Sequence, residues 1–325
     1  MASRKAFEIG IQDNLIFYVC LAYSLLVGVL VPGFFSAANF WNILFNLLPL
    51  LIVALGQMVV MLTAGIDLSV TSTIAVSSLV GAYTMSSDSA LPLSPGAGVL
   101  LGIMFMLVCG ASIGVVNGLA VTRLGMPAFM VTLTTMIFFS GLAVWSTASQ
   151  NIYNLPEFFV DITYQSFLGV PIPLLIALVV VASVSFLLNR TVPGQWLYAT
   201  GLNPTAAFIS GVDTARTRLL AYVISGLCAA VAAVLYMARL ETGSPVLGQH
   251  ILLDVVGAVV IGGTSLFGGK GKVKWTVYGA LFIILLDNSL NLMGLSYFLI
   301  MLVKGGIILA AAVVYRVQRT SFKKA

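Results

Sequence analysis

The chain has 325 residues, 60% of them hydrophobic and only 8% charged, with a formal net charge of +5. A water-soluble domain is about a quarter charged, so this sequence cannot clothe a water-facing surface of its own size. The soluble classes of function are thereby excluded, and the basic excess needs no nucleic acid to explain it.

Crossing a hydrocarbon core of about 30 Å takes roughly 20 helical residues. Ten apolar runs approach that length: about 15–31, 43–62, 70–85, 97–122, 128–147, 172–188, 219–238, 251–267, 275–293 and 295–315. The expected fold is an all-α polytopic transmembrane bundle of about ten spanning helices, one domain over 1–325. Arg4 and Lys5 ahead of the first run look like the start of a signal peptide. That run is longer than the usual 7–15 residues and further spans follow, so it reads as an uncleaved helix.

With a cytoplasmic N-terminus, the inside segments are 1–14, 63–69, 123–127, 189–218, 268–274 and 316–325. They hold Arg4, Lys5, Arg123, Arg190, Arg216, Arg218, Lys270, Lys272, Lys274, Arg316, Arg319, Lys323 and Lys324, which is 13 of the 15 basic residues. This asymmetry places both tails, 1–14 and 316–325, in the cytoplasm. Arg239 falls in an outside loop and Lys304 within a span.

The segment 63-TAGIDLSVTS-72 joins two runs. Gly65 is expected to break the first helix, and Asp67 to cap the second, with Ser69, Thr71 and Ser72 adding hydroxyls. A carboxylate this close to the bilayer also suits a solute path, and 63–69 is either a loop or a break inside the membrane. Neutral groups at Ser69, Asn117, Thr264 and Asn288 suit transient hydrogen bonds to hydroxyls, so Gly65, Asp67, Ser69, Asn117, Thr264 and Asn288 are the candidate path residues.

The inside loop 189–218 contains 201-GLNPTAAFISGVD-213. Asn203 is a good N-cap, Pro204 suits the first helical position, and Gly211 can close the helix in a left-handed conformation. Phe208 and Ile209 would then be exposed outside the bilayer, and small Ala206 and Ala207 would admit another surface closely. The short helix rests on headgroups or docks a cytoplasmic partner.

The glycine-rich 262-GGTSLFGGKGK-272 is no phosphate loop. Thr264 stands where the first glycine belongs and Gly271 replaces the hydroxyl residue after Lys270. It reads as a tight turn anchored by Lys270, Lys272 and Lys274. Asp287 and Lys304 fall at similar depth in the outer half of the bilayer, where an isolated charge is expensive, and are expected to pair as a structural staple. Asp67, Asp254 and Asp287 are otherwise scattered. A short match of 117-NGLAVTRLGMPAF-129 to 288-NSLNLMGLSYF-298 suggests an inverted repeat.

Cys20, Cys109 and Cys228 lack metal or disulfide spacing, and His250 has no partner cluster. No catalytic, cofactor or metal site is expected, which sets aside a membrane-embedded enzyme. An ion-coupled secondary transporter and a passive channel remain as rivals to any pump.

At 65-GIDLSV-70, 117-NGL-119, 124-LGMPAFMVTL-133, 193-PGQWLYATGLNPTAAFISGV-212, 262-GGTSLFGGKG-271 and 288-NSLNL-292 the chain resembles permease subunits of ribose-type sugar importers of the ABC superfamily, over about 40–315. Thr71 stands where Gly is common, and Lys274 adds a charge. The resemblance implies a bacterial inner-membrane subunit paired with a second permease, two cytoplasmic ATPase subunits and an external sugar-binding protein. It implies an ATPase-coupling helix at Asn203–Gly211, a solute path near Gly65–Ser69, and a docking face for the binding protein at 150–171 with Glu157 and Asp161. A monosaccharide or polyol is the implied cargo, GIDLS favouring the sugar branch over that for branched-chain amino acids.

Overall fold

A computed structural model describes residues 14–87 and 94–322. Arg4, Lys5, Lys323 and Lys324 of the expected tails lie outside the described residues. Among the described residues six helices are long and apolar enough to cross a membrane: α2 (Ala37–Leu62), α4 (Pro95–Thr122), α5 (Ala128–Ser146), α7 (Ile172–Arg190), α10 (Thr214–Leu240) and α12 (Val273–Leu292). Shorter apolar helices are α1 (Leu15–Leu30), α3 (Val70–Met85), α11 (Leu252–Gly262) and the 297–311 part of α13 (Tyr297–Phe322). Three short helices, α6 (Glu157–Val160), α8 (Val192–Leu202) and α9 (Pro204–Ile209), a 3-10 turn at Asp161–Thr163, and one tiny hairpin, Ser166–Phe167 with Val170–Pro171, complete the described fold. The chain is an all-α, multi-pass membrane protein.

Because lipid tails are as apolar as leucine, helices in a bilayer associate through close packing rather than through hydrophobic burial. The centre of this bundle is built that way. α2 is buried at every residue from Leu48 to Leu62. α4 presents Gly110, Gly114 and Gly118, one per turn, to α10; a Cβ on Gly110 would stand 2.3 Å from the Gly226 carbonyl oxygen, and one on Gly114 2.4 Å from that of Tyr222. At the rim, α1 packs on α12 through Cys20, Val27 and Leu285, and α13 through Ile300 against Leu286 and Leu290. Outward faces carry exposed Val29, Phe138, Val179 and Leu302, as expected where hydrocarbon is the solvent.

The connections gather at two ends. At one end Ile152 and Gly243 exchange backbone hydrogen bonds of 2.8 and 3.0 Å, and the His250 and Tyr297 rings lie 5.7 Å apart. At the other end lie 63–69, 123–127, 191–213 and the glycine-rich turn 263–272.

Two expectations need correction. The supposed loop 189–218 holds the eleven-residue α8. Thr191 caps it, its hydroxyl oxygen accepting from Gly194 N at 3.3 Å, and fully buried Leu197 pins it to the bundle. Proline and glycine at 193–194 look like loop chemistry, yet proline in the first helical turn loses no hydrogen bond. Arg239 lies not in a loop but in the last turn of α10, where its guanidinium donates to Asn46 Oδ1 at 2.9 Å.

Candidate functional site

Five of the six residues of α9 are exposed, and the helix rests on the chain through Ala207. Asn203 Oδ1 accepts from Ala206 N at 3.0 Å, Pro204 opens the helix, and Gly211 closes it at φ +86°. Phe208 and Ile209 are 69% and 80% exposed. Ala206 is exposed, but Ala207 is buried against the chain itself. Only one of the two alanines therefore faces outward; the sequence treats them alike because it does not reveal which side of so short a helix faces the bundle. Asp213 then caps α10, accepting from Arg216 N at 2.9 Å.

Between α2 and α3 the chain turns inward. Thr63, Asp67 and Ser69 are buried, so 63–69 is a break within the packed bundle rather than an open loop. The left-handed residue is Ala64, at φ +60°, and not Gly65. Gly65 is needed for space: a Cβ there would stand 2.8 Å from Tyr222 Oη and 3.1 Å from a Val60 methyl carbon.

Asp67 sits two residues ahead of the position expected of it, for Ser69 occupies the N-cap of α3. The carboxylate still serves that helix entrance: Oδ1 accepts from Ser69 N at 3.0 Å and from Ser69 Oγ at 2.6 Å. Oδ2 accepts from Ser225 Oγ on α10 at 2.8 Å. Asn117 Nδ2 on α4 donates to Ser69 Oγ at 2.7 Å. The entrance of α3 and α10 thus meet on one buried carboxylate, α4 joins through Ser69, and none of the groups bonded to the carboxylate is charged. Gly65, Arg218 and Tyr222 line an adjoining cavity of about 400 Å³ together with Thr122 and Pro127.

Of the six candidate path residues, Asp67, Ser69 and Asn117 form this cluster and Gly65 borders it. Thr264 lies instead in the glycine-rich turn, 1% exposed. Asn288 lies at the other end of the bundle, exchanging amide hydrogen bonds of 2.9 and 2.7 Å with Asn39. Gln57, a polar residue inside an apolar run, is fully buried on α2, and neither amide atom has a partner among the described residues.

Lys304 Nζ donates to Asp287 Oδ1 at 2.9 Å and also to Asp254 Oδ2 at 3.0 Å. Asp254 is thus not scattered but the third member of an ion cluster joining α11, α12 and α13. Fifty residues separate it from the lysine, with no periodicity to link them, so only the packing of α11 against α13 reveals the contact.

Residues 39–312 match the family model described as "Branched-chain amino acid transport system / permease component". The chain is 34% identical to the ribose import permease protein RbsC of Haemophilus influenzae over 94% of both chains. It is 36% identical to RbsC of Bacillus subtilis, covering 90% of this chain and 89% of that protein. It is 31% identical to the D-allose transport system permease protein AlsC of Escherichia coli, covering 92% of this chain and 90% of that one. No solved structure matches.

Proposed function

The chain belongs to the branched-chain amino acid transport system / permease component family, and from that premise we propose that it is the permease subunit of an ATP-driven importer of a monosaccharide or related polyol. Relatives named for ribose and D-allose transport support the choice of cargo within the family. All ten apolar helices cross the bacterial inner membrane in this reading, with both tails and the end that carries α9 in the cytoplasm. That end holds the excess of lysine and arginine, as topology requires.

The observation that carries the reading is α9. A six-residue helix capped at both ends, with Phe208 and Ile209 turned outward beyond the bundle, leaves about 3–6 kcal/mol of apolar side-chain burial unrealised. A cleft on a cytoplasmic ATPase subunit would recover it. The full assembly is two permeases, two ATPase subunits and an external sugar-binding protein, the last resting on 150–171 with exposed Glu157 and Asp161. Nucleotide-driven closure of the ATPases moves α9 as a lever. The bundle contributes no chemical step; it offers two packings whose relative stability the lever changes. The break at Gly65–Ser69, with Asn117, lies on the solute path between them, while Thr264 and Asn288 mark its further reaches.

The test is purification with the partner subunits, followed by uptake into liposomes. ATP-dependent uptake that needs the binding protein is expected. Phe208→Asp should release the ATPase subunit and abolish uptake, leaving the bundle folded. The rival reading, an ion-coupled carrier, draws on the Lys304 cluster; it predicts uptake by the isolated chain on an ion gradient alone, and that result would overturn the importer.

A further inference from the structure

The glycine-rich turn 263–272 belongs neither to the docking helix nor to the buried carboxylate, yet it touches the chain on the way to both. α2 ends at Leu62, and a helix's last carbonyls need partners from elsewhere. Gly269 N donates to Leu62 O at 2.9 Å. Gly201, the penultimate residue of α8, lies against the same point. A Cβ on Gly201 would stand 1.7 Å from Leu62 O and 2.5 Å from Gly269 N. A Cβ on Gly268 would stand 2.8 Å from Ala64 N and 2.9 Å from Gly201 O. Tyr198 of α8 closes the knot, its hydroxyl donating to Gly271 O at 2.9 Å.

Other glycines of the chain supply a contrast. Gly125 and Gly294 also sit in turns, at φ +66° and +73°, and a Cβ on either would meet nothing within 4 Å. They answer a need for backbone conformation alone. Gly201 has no left-handed φ to explain it; it is glycine because three backbones meet there.

We infer that Gly201, Gly268 and Gly269 are positioning residues, a backbone-to-backbone coupler that ties the lever to the break at 63–69; the inference rests on the importer reading. Gly201 lies two residues before Asn203, the cap of α9, and Leu62 lies five residues before Asp67. Side chains can hop between rotamers and absorb a displacement, whereas abutting backbones cannot, so motion is passed on by close packing. A second connection leaves the far end of α9 through Asp213 and runs up α10 to Ser225. Both connections end on Asp67, one through the chain at 63–67 and one through the Ser225 hydrogen bond. A shift of α9 therefore bears on the buried carboxylate from two sides.

The experiment compares sugar taken up per ATP hydrolysed in the reconstituted complex with its ATPase and binding-protein partners. Gly201→Ala should keep the ATPase subunit bound and hydrolysing while the ATP consumed per sugar rises roughly tenfold, within the range of measured coupling energies. Gly96→Ala, at a glycine whose Cβ would meet nothing within 4 Å, should leave the ratio unchanged. An unchanged ratio in Gly201→Ala overturns the coupler. If Gly201→Ala does not assemble, Tyr198→Phe decides: loss of one hydrogen bond to the turn should raise the ATP consumed per sugar about threefold while the complex stays assembled and loses no more thermal stability than one hydrogen bond supplies, and an unchanged ATP consumption per sugar overturns the inference. Failure of the importer reading itself is separately visible, because wild-type uptake would then proceed without the ATPase.

Discussion

The bundle holds two carboxylate sites that solve one problem in opposite ways. Asp67 is 2% exposed and is bonded only by hydroxyls and a backbone N–H, from Ser69 and Ser225. Asp254 and Asp287 share one cation, Lys304, and their side chains are 16% and 37% exposed. In the second site two negative charges lean on one positive charge, and loss of the lysine would strand both carboxylates. In the first, every partner is neutral and each hydroxyl can donate or accept. A site of fixed charges suits a staple; a site of reversible hydrogen bonds suits a part that must rearrange. The staple joins α11, α12 and α13, away from α9, while the Asp67 cluster joins the break to α4 and α10.

That contrast is broken first at the staple. Lys304→Met leaves two carboxylates unpaired, and removing one partner from a buried ion pair costs about 3–5 kcal/mol. Thermal unfolding in detergent should show a greater loss for this substitution than for any single change around Asp67. Exchanging the charges in Lys304→Asp with Asp287→Lys should recover much of it, since the cluster keeps one cation and two anions. A Lys304→Met protein as stable as wild type would show that the cluster holds nothing together. A smaller effect is expected at Ser225→Ala, which deprives Asp67 Oδ2 of its donor. A buried acceptor left unsatisfied costs about 1–3 kcal/mol, again read by thermal unfolding. No loss there would mean that α10 and the break are not joined through this bond.

Much of this architecture is legible in the sequence wherever a local rule applies. Each of the ten apolar runs falls on one helix of the structure, although the run 251–267 outlasts its own, which stops at Gly262; the need to satisfy every backbone group inside a bilayer leaves a hydrophobic run little choice. The ends of α9 are equally local: Asn203, Pro204 and Gly211 lie within nine positions and act on their own backbone. The proximity of Asp287 and Lys304 follows from depth alone, once the direction of their helices is assumed. What stays hidden is what depends on partners distant in sequence. Ser225 lies 158 residues from Asp67, and no pattern of spacing connects them. Asp254 looks like a lone carboxylate until α11 packs beside α13. Gly201 reads as a loop residue and Gly269 as a turn residue because the crowding at each comes from elsewhere in the chain, from Leu62 at Gly201 and from Leu202 at Gly269. The same limit applies at Ala64, which takes the left-handed conformation beside a glycine that does not.

The finest distinction between the two sites is Asp67→Asn. The amide keeps the size of the carboxyl group, and its oxygen can still accept from Ser69 N and Ser69 Oγ at the helix entrance. Its NH₂ would face Ser225, whose hydroxyl can turn from donor to acceptor. No buried group is stranded, and the cost of burying a charge is removed. The expected change in stability is therefore small, within about 1 kcal/mol, since a well-satisfied neutral replacement of a buried polar group is nearly neutral. The matching changes in the staple, Asp254→Asn and Asp287→Asn, each weaken one charge-assisted hydrogen bond but leave Lys304 paired with the other carboxylate, so each should cost more than Asp67→Asn and less than Lys304→Met. Uptake by Asp67→Asn then carries the functional information. If transport falls while the unfolding temperature holds, the negative charge at the break serves the moving part of the cycle. If unfolding temperature and transport fall together, Asp67 is a second staple, and the division between a fixed site and a rearranging one is lost.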